Sequence, residues 1–322
     1  MRHDQSTSRR AERIETKSPR VGVRASITER GLAPYAWGVL GFMVLVVLWG
    51  AIVRTTGSGA GCGNHWPLCN GDFVPHHPRL ATIIEFTHRS MTGFLTTFVG
   101  LLAAWIFWKR PRGDRARRGA IWVIVFLISE ALLGAVLVKG GYVEANASNA
   151  RVAMQCVHFT NTMLLLAALA LTAWWLEHPA RNREATVAPR ALAVAAILLT
   201  LAVGATGAVA ALADTLYPSP SLRAGLAQDF ASTAPLIVRM RWVHPAASVL
   251  AFGCVALLCW RARSRMAAVV AGLLALQFVL GIGDVLLLAP QWMQVLHLLG
   301  ADLFWIALVI LAAGGFRLRE QA

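Results

Sequence analysis

Eight separate runs of about 20 apolar residues punctuate the chain, each the length a helix needs to cross the hydrocarbon of a bilayer. They lie near 36–53, 80–108, 120–138, 152–176, 191–212, 242–260, 266–289 and 292–314. Backbone N–H and C=O groups find no water in hydrocarbon, so such runs must become helices that bond internally. Composition agrees: of 322 residues, 57% are hydrophobic and 14% charged, too apolar for one water-soluble domain. The expected fold class is an all-α polytopic membrane protein with eight transmembrane helices.

The formal net charge of +14 would by itself fit a nucleic-acid binder, but its placement argues against nucleic acid as a partner. Basic residues crowd the tail "RHDQSTSRRAER", the loop "KRPRGDRARR", the connection with Arg181, Arg183 and Arg190, the loop "RARSR" and the terminal "RLRE". Those are alternate connections, whereas 55–78 has no Lys or Arg. The positive-inside rule therefore places both termini and the basic loops in the cytoplasm, with anionic membrane lipid as the partner of the charge. Residues 1–35 are expected to form a disordered basic tail; without an apolar core it does not read as a cleaved signal peptide. Residues 177–190 read as a cytoplasmic linker and 315–322 as a short cytoplasmic tail.

The fourth run begins "RVAMQCVHFTNTMLLLAAL" and the eighth "PQWMQVLHLLGADLFWIAL". Both contain Met-Gln-x-x-His, ending at His158 and His297. The second run has His88 before "RSMTGFLTTFVGLLA", and the sixth has His244 before "PAASVLAFGCVALLC". "EALLG" (130–134) in the third matches "QFVLG" (277–281) in the seventh. The pattern predicts two pseudo-repeated four-helix bundles, 36–176 and 191–314, in one orientation, as parallel repeats are.

Runs two, four, six and eight all enter from the outer face. His88, His158, His244 and His297 therefore sit at matched depth, roughly 8–13 Å inside at 1.5 Å per residue. One membrane histidine is ordinarily just hydrogen-bonded to a neighbouring helix. Four at one level, two per half, instead suit axial ligation of haem iron from both sides of a bundle core. Zinc fits less well, because no cysteine or acidic set repeats beside them. Gln155 and Gln294, one turn before their histidines, can meet a haem propionate, orient a ligand ring, or simply pack.

The halves differ one turn before their first histidines. Glu85 precedes His88, whereas Arg241 precedes His244. A guanidinium there is a candidate partner for a haem propionate. A carboxyl there can act as a general base or balance developing positive charge, or pair with Arg89 or Arg151 near the interface. This contrast suggests chemistry in the first half and electron storage or relay in the second. The outer loop "RTTGSGAGCGNHWPLCNGDFVP" holds Cys62 and Cys69 with six residues between them. In an oxidising compartment they can form a structural disulfide or a redox-active one; with His65 they would make an incomplete metal site. Cys156, Cys254 and Cys259 lie within helices, where thiols usually pack.

"GAIVRTTGSGAGCGNHWPLC", "EFTHRSMTG", "MQCVH" and "MQVLH" resemble the signatures of the haem A synthase family, and the resemblance covers nearly all of 36–314. It implies a cell (inner) membrane oxidoreductase that converts the C8 methyl of haem O to a formyl group, giving haem A for terminal oxidase assembly. It assigns the substrate haem O to the first half, with His88, His158 and a catalytic Glu85. It assigns a resident haem b to the second, with His244 and His297, both iron sites lying towards the outer face. It matches Cys62 and Cys69 to the family's first outer cysteine pair. The implied supplier is haem O synthase, and an unidentified electron donor is implied as well. A dihaem electron-transfer subunit is the alternative. Some members carry a second cysteine pair between helices five and six; "DTLYPSPSLRAGLAQDFASTAPLIV" has none, a departure from that pattern.

Overall fold

The structure, a computed structural model, describes residues 31–178 and 190–315. The expected tails and most of the basic linker, including Arg181 and Arg183, lie outside the described residues. Among the described residues ten helices follow in order: α1 (Leu32–Thr55), α2 (Leu80–Lys109), α3 (Arg115–Lys139), α4 (Asn149–Glu177), α5 (Arg190–Leu216), α6 (Leu222–Phe230), α7 (Leu236–Arg239), α8 (Val243–Ala262), α9 (Arg265–Leu286) and α10 (Gln291–Gly315). With α7 and α8 forming one span, eight segments are long and apolar enough to cross a membrane. Among the described residues there is no strand, only an isolated bridge between Cys69 and Asp72.

Side chains near the helix ends occupy the orphan N–H groups that a helix start leaves. The Asp114 carboxylate accepts from Ala116 N–H, Ser148 from Arg151 N–H and Ser264 from Ala267 N–H. α1, α2, α3 and α4 pack in a ring, each on the next and α4 back on α1; α5, α8, α9 and α10 form a second ring. The rings meet where α4 packs on α5 and α10, and α1 on α10. Leu165, Leu166, Leu169 and Leu308 are wholly buried in that seam. There the Trp305 indole donates to Met163 O at 2.7 Å. Phe94, Leu101, Trp122, Val249, Leu250 and Val279 point outward. So apolar a perimeter suits hydrocarbon rather than water.

The connection after α5, which reads as a plain loop in the sequence, contains α6, capped by Ser221 accepting from Ala224 N–H. A nine-residue helix is too short for a search for spanning runs to find. Phe230, at its end, stacks on Trp242 with ring centroids 6.2 Å apart.

Candidate functional site

The four histidines come to equivalent places. Each lies six to nine residues past the start of its span. α2 carries His88 and α4 carries His158; both belong to the first ring. α8 carries His244 and α10 carries His297 in the second.

The His244 and His297 ring centroids are 6.4 Å apart, with the ring planes at 84°. Metal–imidazole bonds of about 2 Å on either side of one ion separate two ring centres by about 6 Å, so this spacing fits a shared axial metal. His244 Nδ1 is paired with Val203 O at 3.1 Å, which leaves Nε2 free for a ligand. Glycines clear the space: a Cβ on Gly207 would lie 2.9 Å from His244 Cε1, and one on Gly281 would lie 3.1 Å from His297 Cε1.

His88 and His158 lie within electrostatic reach of each other. Gly50 backs His88 as Gly207 backs His244, with a Cβ there 3.2 Å from the ring. Gly134, placed in the sequence like Gly281, has nothing within 4 Å of a Cβ. The Nδ1 atoms of His88, His158 and His297 are buried without an aligned hydrogen bond. Two imidazoles per site, small residues behind them and apolar walls together fit an iron porphyrin. They do not fit a hydrated or tetrahedral ion, and among the described residues no three His, Cys, Asp or Glu side chains gather in a metal-binding group.

Glu85 is buried, 3% exposed. Its Oε2 accepts from Cys62 N–H at 2.7 Å, and its Oε1 from Arg89 Nε at 3.1 Å. Arg89 also donates to Leu68 O at 2.6 Å and to His65 O. One guanidinium thus ties the first turns of α2 to the loop above them. Cys62 and Cys69 are joined in a disulfide with Cα atoms 4.4 Å apart, so they are not free to ligate with His65. Both are buried, and Thr82 Oγ1 donates to Gly61 O at 2.7 Å from below. The loop is a folded cap whose underside is the Glu85 carboxylate.

Comparison with known proteins places this architecture. The profile of the cytochrome oxidase assembly protein family matches residues 33–309, from α1 to within α10. The chain belongs to that family. Its relatives include a protein named "Protoheme IX farnesyltransferase" in Thermus thermophilus, 43% identical over 291 residues. That match takes in 87% of this chain and 48% of the Thermus protein, so the chain spans about half the length of that relative. A protein named "Heme A synthase" in Bacillus cereus is 38% identical over 131 residues, 40% of this chain and 39% of its own. The resemblance to haem A synthases read from the motifs is thus matched by identity.

In this cytochrome oxidase assembly family member, Arg241 does not stand free beside His244. Its Nη1 donates to Asp214 Oδ1 at 2.9 Å and its Nη2 lies 2.7 Å from Asp229 Oδ1. Asp229 comes from α6, the helix hidden in the loop. Gln294 accepts from Arg54 Nη2 at 3.0 Å and donates to Ala289 O at 2.7 Å. Arg54, in the last turn of α1, also donates to Ala211 O at 2.6 Å and Thr215 Oγ1 at 2.7 Å on α5. Motif reading misses Arg54, although a lone arginine inside an apolar run is an available signal. It misses Glu130 as well, which stands out only as a letter in a repeat: its Oε1 is 3.3 Å from His158 Nδ1.

Proposed function

We propose that the protein oxidises the C8 methyl of haem O to a formyl group, making haem A for haem–copper terminal oxidases. The reading is supported by family membership, by the likeness to a heme A synthase, and above all by the two histidine pairs. The observation that carries it is the 6.4 Å separation of the His244 and His297 rings, the spacing of two axial ligands on one iron.

His88 and His158 would hold the iron of the substrate, haem O, and so fix where its methyl group stands. His244 and His297 would hold a resident haem b, which supplies one-electron transfer when bound. The catalytic residue is Glu85. Arg89 and Cys62 N–H pin its carboxyl one turn from His88, where it takes a proton or balances positive charge as the methyl group loses hydrogen. Arg241, clasped by two carboxylates and also donating to Ser219 Oγ and Gly225 O, serves a propionate only through whatever N–H capacity these four partners leave.

The two four-helix rings are read as repeats, 36–176 for substrate and 191–314 for haem b, with termini in the cytoplasm and haem sites towards the outer face of the cell membrane. Haem O synthase is the proposed partner. The Thermus relatives named as farnesyltransferases match this chain over 48% of their length and carry about as much sequence again in the same polypeptide, which suits a supplier tethered to its consumer.

The deciding experiment gives the purified protein haem O and a reductant in air, so that dioxygen can serve as the oxidant, then chromatographs the extracted haem. Haem A is the expected product. Full haem binding with haem O returned unchanged would make the protein a dihaem electron carrier instead.

A further inference from the structure

We infer that Glu130 is a positioning residue for His158: a carboxylate that fixes this ring and strengthens it as an electron donor, where His297 has a neutral amide. The inference rests on the haem-binding reading above.

Glu130 lies within the apolar span of α3, where a carboxyl is costly and generally present for a function. Its surroundings are built for an acceptor. Ser129 Oγ donates to Asn161 Oδ1 at 2.7 Å, which sets the direction of that amide. Asn161 Nδ2 must then donate, and it does so to Phe126 O at 2.9 Å and to Glu130 Oε2 at 2.6 Å. The Thr162 hydroxyl meets the other carboxyl oxygen. That oxygen is 3.3 Å from His158 Nδ1, a buried nitrogen with no aligned hydrogen bond of its own.

The His297 side has the same scaffold with these features removed. Gln277 Nε2 donates to His297 O at 3.0 Å and lies 3.4 Å from the ring's Nε2. Gln277 Oε1 is buried with no donor. Three and four residues after His158 stand Asn161 and Thr162; after His297 the same steps reach Gly300 and Ala301, which offer no side-chain donor. A Cβ on Gly300 would come 2.5 Å from Gln277 Oε1, so glycine makes room for the amide there. One pocket is furnished for a negative charge and the other for a neutral group.

A carboxylate at the far nitrogen of a ligating histidine orients the ring and raises its basicity. A more basic axial ligand favours the higher oxidation state of iron and lowers its potential. Haem on His88 and His158 would therefore sit at lower potential than it would with an amide at position 130.

The test exchanges the two side chains in the full-length protein, loaded with haem b as the probe at both pairs. A His297→Ala background isolates the first site and a His158→Ala background the second. Redox titration followed by absorption and electron paramagnetic resonance should show that Glu130→Gln raises the midpoint of the first-site haem and alters its low-spin signature. Gln277 faces Nε2 of His297 rather than Nδ1, so Gln277→Glu should lower the midpoint at the second if that ring holds iron through Nδ1. A residue that only packs would leave both midpoints in place when exchanged for its near-isostere. Unmoved midpoints in both variants, with haem still bound, overturn the role of Glu130. Absence of haem from both pairs in the unsubstituted protein overturns the haem-binding reading itself.

Discussion

The two histidine pairs share a frame and differ in polarity. Behind His88 and behind His244 a glycine on the preceding long helix gives the ring its room, at Gly50 and Gly207. Around His88 and His158, however, stand two carboxylates, Glu85 and Glu130, each held by donors from a neighbouring segment. Around His244 and His297 the contacts are a backbone carbonyl and a glutamine amide, while the nearby carboxylates Asp214 and Asp229 are taken by Arg241. Apolar surroundings make an unpaired charge expensive. Arg241 meets that cost for Asp214 and Asp229, whereas at the first pair Glu130 stands beside His158 itself. A site that must accept protons needs such groups, and one that only exchanges electrons does better without them.

The comparison can be broken at the histidines, with the largest effect. His244→Ala or His297→Ala should abolish the resident low-spin haem spectrum, since each removes one axial ligand. If both variants keep a full haem b spectrum, the pair is not the resident site. The next test concerns Glu85. Glu85→Gln preserves size but removes the base and the charge, so haem A formation should fall by about a hundredfold or more. The haem b spectrum should stay intact. Extracted haem, chromatographed, reports the rate; a normal yield of haem A would reduce Glu85 to a strut between Arg89 and the loop.

A smaller effect tests the shared frame. Gly207→Ala sets a methyl 2.9 Å from His244 Cε1 and presses on the ring's bond to Val203 O. Overpacking of this kind costs about 1–3 kcal/mol, seen as weaker retention of haem b or a lower melting temperature. Gly134→Ala, in open space, should change stability by no more than about 0.5 kcal/mol. Equal losses in the two variants would mean that the glycines serve helix packing in general rather than the imidazoles. Last, the disulfide loop belongs to the first pair alone. A membrane-impermeant thiol reagent on spheroplasts should label Cys62 and Cys69 only after reduction. Labelling confined to inverted vesicles would reverse the proposed orientation, while leaving the internal geometry as it is.

The spans and their order are legible in the amino-acid sequence itself. A run of 20 apolar residues has one outcome in hydrocarbon, because its backbone must bond within itself. The eight spans follow, the first reaching Leu32–Thr55 where the sequence suggests 36–53. At the fourth and seventh spans the start moves because the caps Ser148 and Ser264 extend the helix ahead of its apolar stretch. Local spacing also shows that Glu85 and His88 share a helix and that Arg89 stands within reach of Glu85.

The tertiary structure decides what local spacing cannot carry: which groups on different helices meet. Arg241 reads in the sequence as a candidate partner for a haem propionate, but α6 delivers Asp229 to it. Gln294 reads as a side chain that can meet a propionate, orient a ring or pack, and Arg54 reaches it from 240 positions away. Glu130 and Gln277 are two letters in matching pentapeptides until packing of α3 on α4, and of α9 on α10, turns one towards His158 and the other towards His297. Hydrophobicity fixes how many spans there are and roughly how deep a residue lies. The rotation and register of each helix against its neighbours are set by the fit of side chains across the seam, and that fit determines which polar groups are left to meet.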